Sequence, residues 1–133
     1  MPSNTLNGVG DYIADARVVL QDTIQSYRYA DDQLVIALNL AFLDGKRLRP
    51  DLFISEKWEP YPTWTIADIP ANTVVPMEDT FRQAFVFGAC AHAVARDQED
   101  IEDERSMSHA NVFNAILLGT MMPGMMPPRR KTP

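Results

Sequence analysis

Apolar residues near the start of the chain recur at steps of three and four positions. This spacing places them on one side of a helix and predicts a first helix of about five turns. Asp11 and Asp15 lie in its first turns, where carboxylates stabilise the positive end of the helix dipole. Residues 1–8 are polar, contain proline and glycine, and predict a loose arm. The apolar positions are Val9, Tyr12, Ile13, Ala16, Val19, Leu20, Thr23, Ile24 and Tyr27.

A second helix is predicted to begin at Asp31 or Asp32, because either carboxylate can cap the free N–H groups of a first turn. It ends near Arg49, since Pro50 disfavours α geometry in the residue before it. Its predicted inward positions are Leu34, Leu38, Ala41, Phe42 and Gly45.

Residues 56–76 break this pattern: they hold four prolines and both tryptophans and show no helical period. The β-branched residues predict a long excursion with a short two-stranded hairpin between Thr63–Ile66 and Thr73–Val75. Trp58 and Trp64 have two interpretations. Indole rings in such a segment either cover the chain's own core, which is the commoner case, or contact a partner.

Two more helices follow. The third is predicted from Met77 to Arg96, is apolar on nearly all sides and is rich in small residues, so it is expected to be central. The fourth runs from Asp100 to Leu118, and Gly119 provides a C-terminal stop. The sequence therefore predicts one all-α domain of four helices over residues 1–119. The prolines of residues 120–133 predict an extended tail.

Composition limits the function classes. The chain has 133 residues, of which 46% are hydrophobic, which suits a single small domain. Its net charge of −6 disfavours free binding to DNA through a basic surface. The single cysteine, Cys90, can form neither an internal disulfide nor a structural zinc site. With no leader and no run of ~20 apolar residues, we expect a soluble, unprocessed, intracellular protein without a membrane partner.

Residues 97–104 hold six carboxylates and could be a metal site. Wound as one helix at ~100° per residue, these carboxylates spread around almost the whole circumference. A magnesium-dependent helical hydrolase would need them on one face, opposite a second acidic pair. His92 and His109 also lack a partner at metal-ligand spacing. The sequence therefore predicts no enzyme, no catalytic residue, no metal and no cofactor, and interprets the acidic cluster as a solvated junction between helices.

The tail has a composition of its own, since it carries four methionines and three bases but no acid. Methionine pairs between prolines suit a segment that lies in a partner's groove, although a disordered end is the simpler interpretation. We expect docking, because a tail without function has little reason to be apolar. The candidate docking residues are Met121, Met122, Met125, Met126, Arg129, Arg130 and Lys131.

Several short motifs also follow one another in a set order. They comprise Ala16-Arg17-Val18-Val19-Leu20-Gln21-Asp22, then Tyr27-Arg28-Tyr29, Asp32 and Leu34, Asn39, and Arg47 with Arg49-Pro50-Asp51. This order resembles the N-terminal pattern of tailed-phage head–tail adaptor (connector, head-completion) proteins, in which "LLQD" and an "R-W/Y" turn precede a helix that ends in "RPD". Arg96-Asp97, Phe113 and Leu118-Gly119 resemble that family's C-terminal helical hairpin. The resemblance covers residues 12–51 and 78–119, and the chain departs from the pattern in its short middle segment and its tail.

The resemblance implies a non-enzymatic virion protein, assembled in the host cytoplasm, that forms a homo-oligomeric, typically dodecameric, ring below the portal protein. Such a ring extends the DNA channel and gives tail and nozzle proteins an attachment platform. Many copies of a chain with a net charge of −6 would repel the genomic DNA that passes through the ring, so the DNA would slide without specific binding. Two alternatives stay open at this stage: a small metal-dependent nucleotide hydrolase using residues 97–104, and a generic helical binding module.

Overall fold

A computed structural model of the protein describes residues 7–24, 27–96 and 103–119. In these ranges the fold is all-α, as predicted, and contains no β-strand. The helices are α1 (Val9–Leu20), α2 (Asp31–Leu48), α3 (Asp68–Ala71), α4 (Asp79–Arg96) and α5 (Asp103–Leu118), with 3-10 turns at Pro50–Phe53 and Glu56–Trp58.

Helix α4 is central, because α1, α2 and α5 all pack against it. The rings of Phe42 on α2 and Phe85 on α4 stack with centroids 4.1 Å apart and planes 3° from parallel. Gly45 on α2 leaves the space that the Phe85 ring fills, and Gly88 on α4 does the same for Phe113 on α5. The prediction that this helix, rich in small residues, is central is therefore confirmed.

The predicted length of the first helix is wrong, since α1 ends at Leu20 and not near Tyr27. Gln21 adopts a left-handed conformation with φ of 58°, and the N–H of Asp22 donates to the carbonyl of Arg17. Ile24, predicted to face the core, is 81% exposed. The helical period continues in the sequence, but hydrogen bonds from later residues to Asp22 end the helix.

The start of α2 also differs in detail. The helix begins at Asp31, but the residue before it is Ala30, whose N–H donates to the side-chain oxygen of Gln33. Asp31 does not cap the helix, because its carboxylate accepts a hydrogen bond from Arg17 instead. The predicted end is confirmed, because Leu48 is the last helical residue and Arg49 and Pro50 follow.

The predicted hairpin in the excursion is wrong. The amide of Asn39 on α2 occupies both backbone groups of Trp64, accepting from its N–H at 3.1 Å and donating to its carbonyl at 2.9 Å. Trp64 is therefore unable to form a ladder with another strand. Asp68 then turns the chain into α3 by accepting the backbone N–H of Thr65.

The second predicted hairpin strand pairs with the beginning of the chain instead. Val9 N–H donates to the carbonyl of Thr73, and Val75 N–H donates to the carbonyl of Asn7, both at 2.8 Å. The predicted loose arm therefore ends before Asn7, whereas residues 1–6 lie outside the described residues. Helix α4 begins two residues after its predicted start at Met77 and ends at Arg96 as predicted. Helix α5 ends at Leu118 as predicted, with Phe113 and Leu117 buried and Gly119 at a positive φ of 69°, whereas its predicted start at Asp100 lies outside the described residues.

Candidate protein–protein interface

A buried polar cluster joins the end of α1 to the start of α2. Arg17 donates to the carboxylates of Asp22, at 3.0 Å, and Asp31, at 2.6 Å, and to the carbonyl of Tyr29 at 2.9 Å. Asp22 in turn accepts the backbone N–H groups of Arg28 and Tyr29. Because Arg17 and Asp22 are both buried, their charges are shielded from water and held in one geometry.

A second polar cluster joins the end of α2 to the end of α5. The guanidinium of Arg49 forms two hydrogen bonds with Asp51, at 2.9 and 2.8 Å, and also donates to the carbonyl of Leu117 in the last turn of α5. A cation at this position satisfies a carbonyl that has no partner within the helix. The hydrogen bond from Arg49 lowers the pKa of Asp51 and the pairing raises that of Arg49.

These two clusters contain many of the residues that carry the adaptor resemblance. Arg17 and Asp22 come from the first motif, Arg49 and Asp51 from the "RPD" motif, and Asn39 holds the excursion against α2. Arg17, Asp22, Asn39 and Arg49 each connect separate segments of the fold, and Asp51 pairs with Arg49. The motif residues are therefore joints of the architecture, and none of them forms a catalytic arrangement with a nucleophile or a general base.

The structure places both tryptophans in the core. Trp58 is 2% exposed and Trp64 is 4% exposed, and both rings contact Phe42. Of the two interpretations left open by the sequence, the structure favours coverage of the chain's own core. Whether the small exposed part of these two residues contacts a partner stays a prediction.

The excursion nevertheless forms an open groove of about 780 Å³ over these rings. We call it the Trp/Pro groove and define it by residues Leu52, Trp58, Pro60, Trp64, Val74 and Pro76. It was missed by the sequence analysis because its walls come from segments separated by up to 24 positions. The signal in the sequence was the prolines that flank both tryptophans.

Helix α2 carries a second surface that the sequence analysis did not single out. Ile36 and Leu43 are exposed although they are large and apolar, and they lie two helical turns apart on the same side. Leu40, between them, is half-buried. Together these three side chains form a small apolar stripe on the surface of α2.

Asp44 and His92 are in contact, although no sequence pattern indicated that they lie close together. The Nε2 atom of His92 on α4 is 2.6 Å from a carboxylate oxygen of Asp44 on α2, beside a cavity of about 200 Å³ that reaches Ser106 on α5. Ser106 donates to the carbonyl of Ala91. This set orients three helices and contains no activated nucleophile, because the serine hydroxyl donates to a backbone carbonyl and not to the histidine.

No group of three potential metal ligands is found among residues 7–24, 27–96 and 103–119. The predicted acidic cluster over residues 97–104 lies largely outside that range, and the side chains of its last members are not described. The predicted docking residues from Met121 to Lys131 also lie outside the described residues.

Comparison of the chain with protein-family models, with curated proteins and with solved structures finds no match. Within the described part of the chain, none of the helices has the length and apolar character needed to cross a membrane.

Proposed function

We propose that this protein is a structural subunit of a phage particle, a head–tail adaptor that assembles with copies of itself below the portal protein. The observation that carries the proposal is the role of the motif residues. Arg17 with Asp22, Asn39, and Arg49 with Asp51 make the contacts that join α1, α2, the excursion and α5. Motifs that specify helix joints specify an architecture, so the resemblance and the contacts support the same proposal.

The surface of the domain suits a subunit that contacts several neighbours. Ile36 and Leu43 give α2 an apolar stripe, and the segment after Gly119 offers methionines and bases to a partner. In the proposed ring the stripe contacts an adjacent copy, and the tail contacts the portal or an adjacent copy. The net charge of −6 per chain makes the ring repel DNA, which passes through without being held.

The test is assembly on portal-containing heads that lack this protein. The full chain should join the heads, and electron microscopy should show a ring at the portal vertex. Failure of the folded full chain to join the heads would overturn the adaptor role.

A variant in which residues 120–133 are replaced by a glycine–serine segment of equal length tests the tail separately. It should keep the circular dichroism spectrum of the full chain and lose attachment. Unchanged attachment would remove the docking role of the tail while leaving the adaptor role in place.

A further inference from the structure

The Trp/Pro groove has the composition of a site for a proline-rich segment. Pro60, Pro62 and Pro76 line it together with Trp58 and Trp64, which are 2% and 4% exposed. Polyproline II segments bind in aromatic-lined grooves because they are already extended and lose little conformational entropy on binding. The volume of about 780 Å³ lies within the range of ~300–1,000 Å³ that is usual for ligand pockets.

We propose that the occupant of this groove is the chain's own tail, with the segment from Met125 to Pro128 bound against the tryptophans. This segment reads Met-Met-Pro-Pro, which combines the extended conformation of proline with flexible apolar side chains that adapt to an irregular surface. This inference concerns the chain before it meets any partner, and it does not depend on the adaptor role.

The tail begins close enough to reach the groove. Arg49, which follows the last residue of α2, donates to the carbonyl of Leu117, two residues before the end of the described chain. The end of α2 therefore lies beside the end of α5, after which the tail begins. Leu52, which lines the groove, is three residues after Arg49, so their Cα atoms are within about 11 Å of each other. The six residues that follow Gly119, as far as Met125, span about 19 Å when extended, which is more than that distance.

The charges also match. Glu78 and Lys57 line the groove, and the exposed residues Glu56 and Glu59 are adjacent in the sequence to the lining residues Ser55, Lys57, Trp58 and Pro60. The three bases of the tail follow Pro128 directly, as residues 129–131. When the Met-Met-Pro-Pro segment lies over the tryptophans, these bases can reach the acidic rim, where opposite charges fix the orientation of the bound segment.

A tethered segment needs little intrinsic affinity. Because the tail is part of the same chain, its effective concentration at the groove is on the order of millimolar. The bound tail would have to leave the groove before it could contact another protein, so the apparent affinity for that protein falls in proportion to the fraction of chains with a free tail.

Nuclear magnetic resonance of the full chain tests the inference, since Trp58 and Trp64 are its only two tryptophans. The methyl protons of Met125 and Met126 should show nuclear Overhauser effects to indole protons. The backbone amides of these residues should have heteronuclear nuclear Overhauser effects with the values of ordered backbone. The Val74→Arg variant places a bulky cation in the groove. It should abolish these contacts and reduce the heteronuclear effects to values near zero.

The matched control is Val18→Arg on α1, because Val18 and Val74 are similarly exposed, at 64% and 70%, and Val18 is not part of the groove. It should leave the tail signals unchanged. A second variant, with Met125→Ser and Met126→Ser, should free the tail without touching the groove, which keeps the test valid if Val74→Arg unfolds the chain.

Two results would overturn the inference. One is a wild-type tail with no contact to either indole and heteronuclear effects near zero. The other is the appearance of methyl–indole contacts between different chains when methionine-labelled and tryptophan-labelled chains are mixed. The groove would then hold the tail of a second copy. Neither result bears on attachment to heads, which tests the adaptor role on its own.

Discussion

Arg17 and Asp22 form an ion pair 3.0 Å long in which each side chain is only 8% exposed. The two residues lie on opposite sides of the left-handed turn that ends α1. Asp22 also accepts two backbone N–H groups, so it holds the loop between α1 and α2 as well as the charge of Arg17. The pair therefore connects a helix end, a loop and the next helix.

Removing one partner of this pair should destabilise the fold strongly. The Asp22→Ala variant leaves the buried Arg17 cation with the more exposed carboxylate of Asp31 alone and two N–H groups without their acceptor, so we expect a loss of about 3–5 kcal/mol in the free energy of unfolding. Urea denaturation followed by circular dichroism measures it. The control is Arg47→Ala, which removes a pair whose arginine is exposed, with an expected loss below about 1 kcal/mol. Equal losses in the two variants would contradict the structural role of Asp22.

A side chain at Gly45 should meet the ring of Phe85. A Cβ atom at this position would lie 2.6 Å from Cζ of Phe85, which itself is stacked on Phe42. Alanine favours a helix over glycine by about 1 kcal/mol, but overpacking of a core costs about 1–3 kcal/mol, so Gly45→Ala should be destabilising or at best neutral.

A double-mutant cycle separates the two effects of Gly45→Ala. In a Phe85→Leu background the ring that blocks the Cβ atom is gone, so the same substitution should be less costly or stabilising. Additive losses in the double variant would show that the contact with Phe85 is not the cause.

The carboxyl pKa of Asp51 should depend on Arg49. The hydrogen bond from Arg49 lowers this pKa below the unfolded value of about 3.9, so the Arg49→Gln variant should raise it. The pair's contribution to stability is present above the unfolded pKa and is lost as the pH falls through the lowered folded value. Carbon-detected titration of the aspartate side chains measures the change.

Asp68 provides the internal control for that titration. Its pKa is lowered mainly by the hydroxyl of Thr73, which donates at 2.6 Å, and further by the N–H of Thr65. Arg49→Gln should leave the pKa of Asp68 unchanged, whereas Thr73→Val should raise it without affecting Asp51. A shift of both carboxyl groups in either variant would indicate a global change of structure.

Tyr61 should ionise later than an ordinary tyrosine. Burial raises its pKa to about 12, and burial also raises the pKa of Tyr12. Since the unfolded chain loses these protons near pH 10, the free energy of unfolding should decrease as the pH rises from about 10 towards 12. Absorbance at alkaline pH follows the phenolates, and Tyr61→Phe should remove the step near pH 12. A step that persists in this variant would assign the ionisation elsewhere.

The helices that the sequence predicted well are those whose period and end signals agree. In α2 the apolar spacing ends where Pro50 forbids its continuation, and the long apolar run of α4 fits only a central position. For α1 the two signals disagree. The apolar period continues through Ile24, but Arg17 and Asp22 recruit the backbone of the following loop, and such contacts become visible only when α2 is in place.

The excursion was mispredicted for a related reason. Thr65 and Asp68 have the spacing of a helix-initiating pair, a signal that was present but overridden by the β-branched residues around it. The hydrogen bonds between Asn39 and the backbone of Trp64 join positions 25 residues apart, so no local sequence pattern indicates them. The Trp/Pro groove has the same origin, since its walls meet only after Asn39 has fixed the excursion against α2.

The contact of Arg49 with the carbonyl of Leu117 gives the domain a mechanical anchor. Tension applied to residues beyond Gly119 would pull first on the last turn of α5. Through Arg49 that load passes into the end of α2, one turn from the glycine on which the Phe85 ring rests, and from there into the aromatic core. A pull on the tail would therefore be shared by two helices that run to the same end of the molecule, and α5 would resist peeling away from α4 one turn at a time.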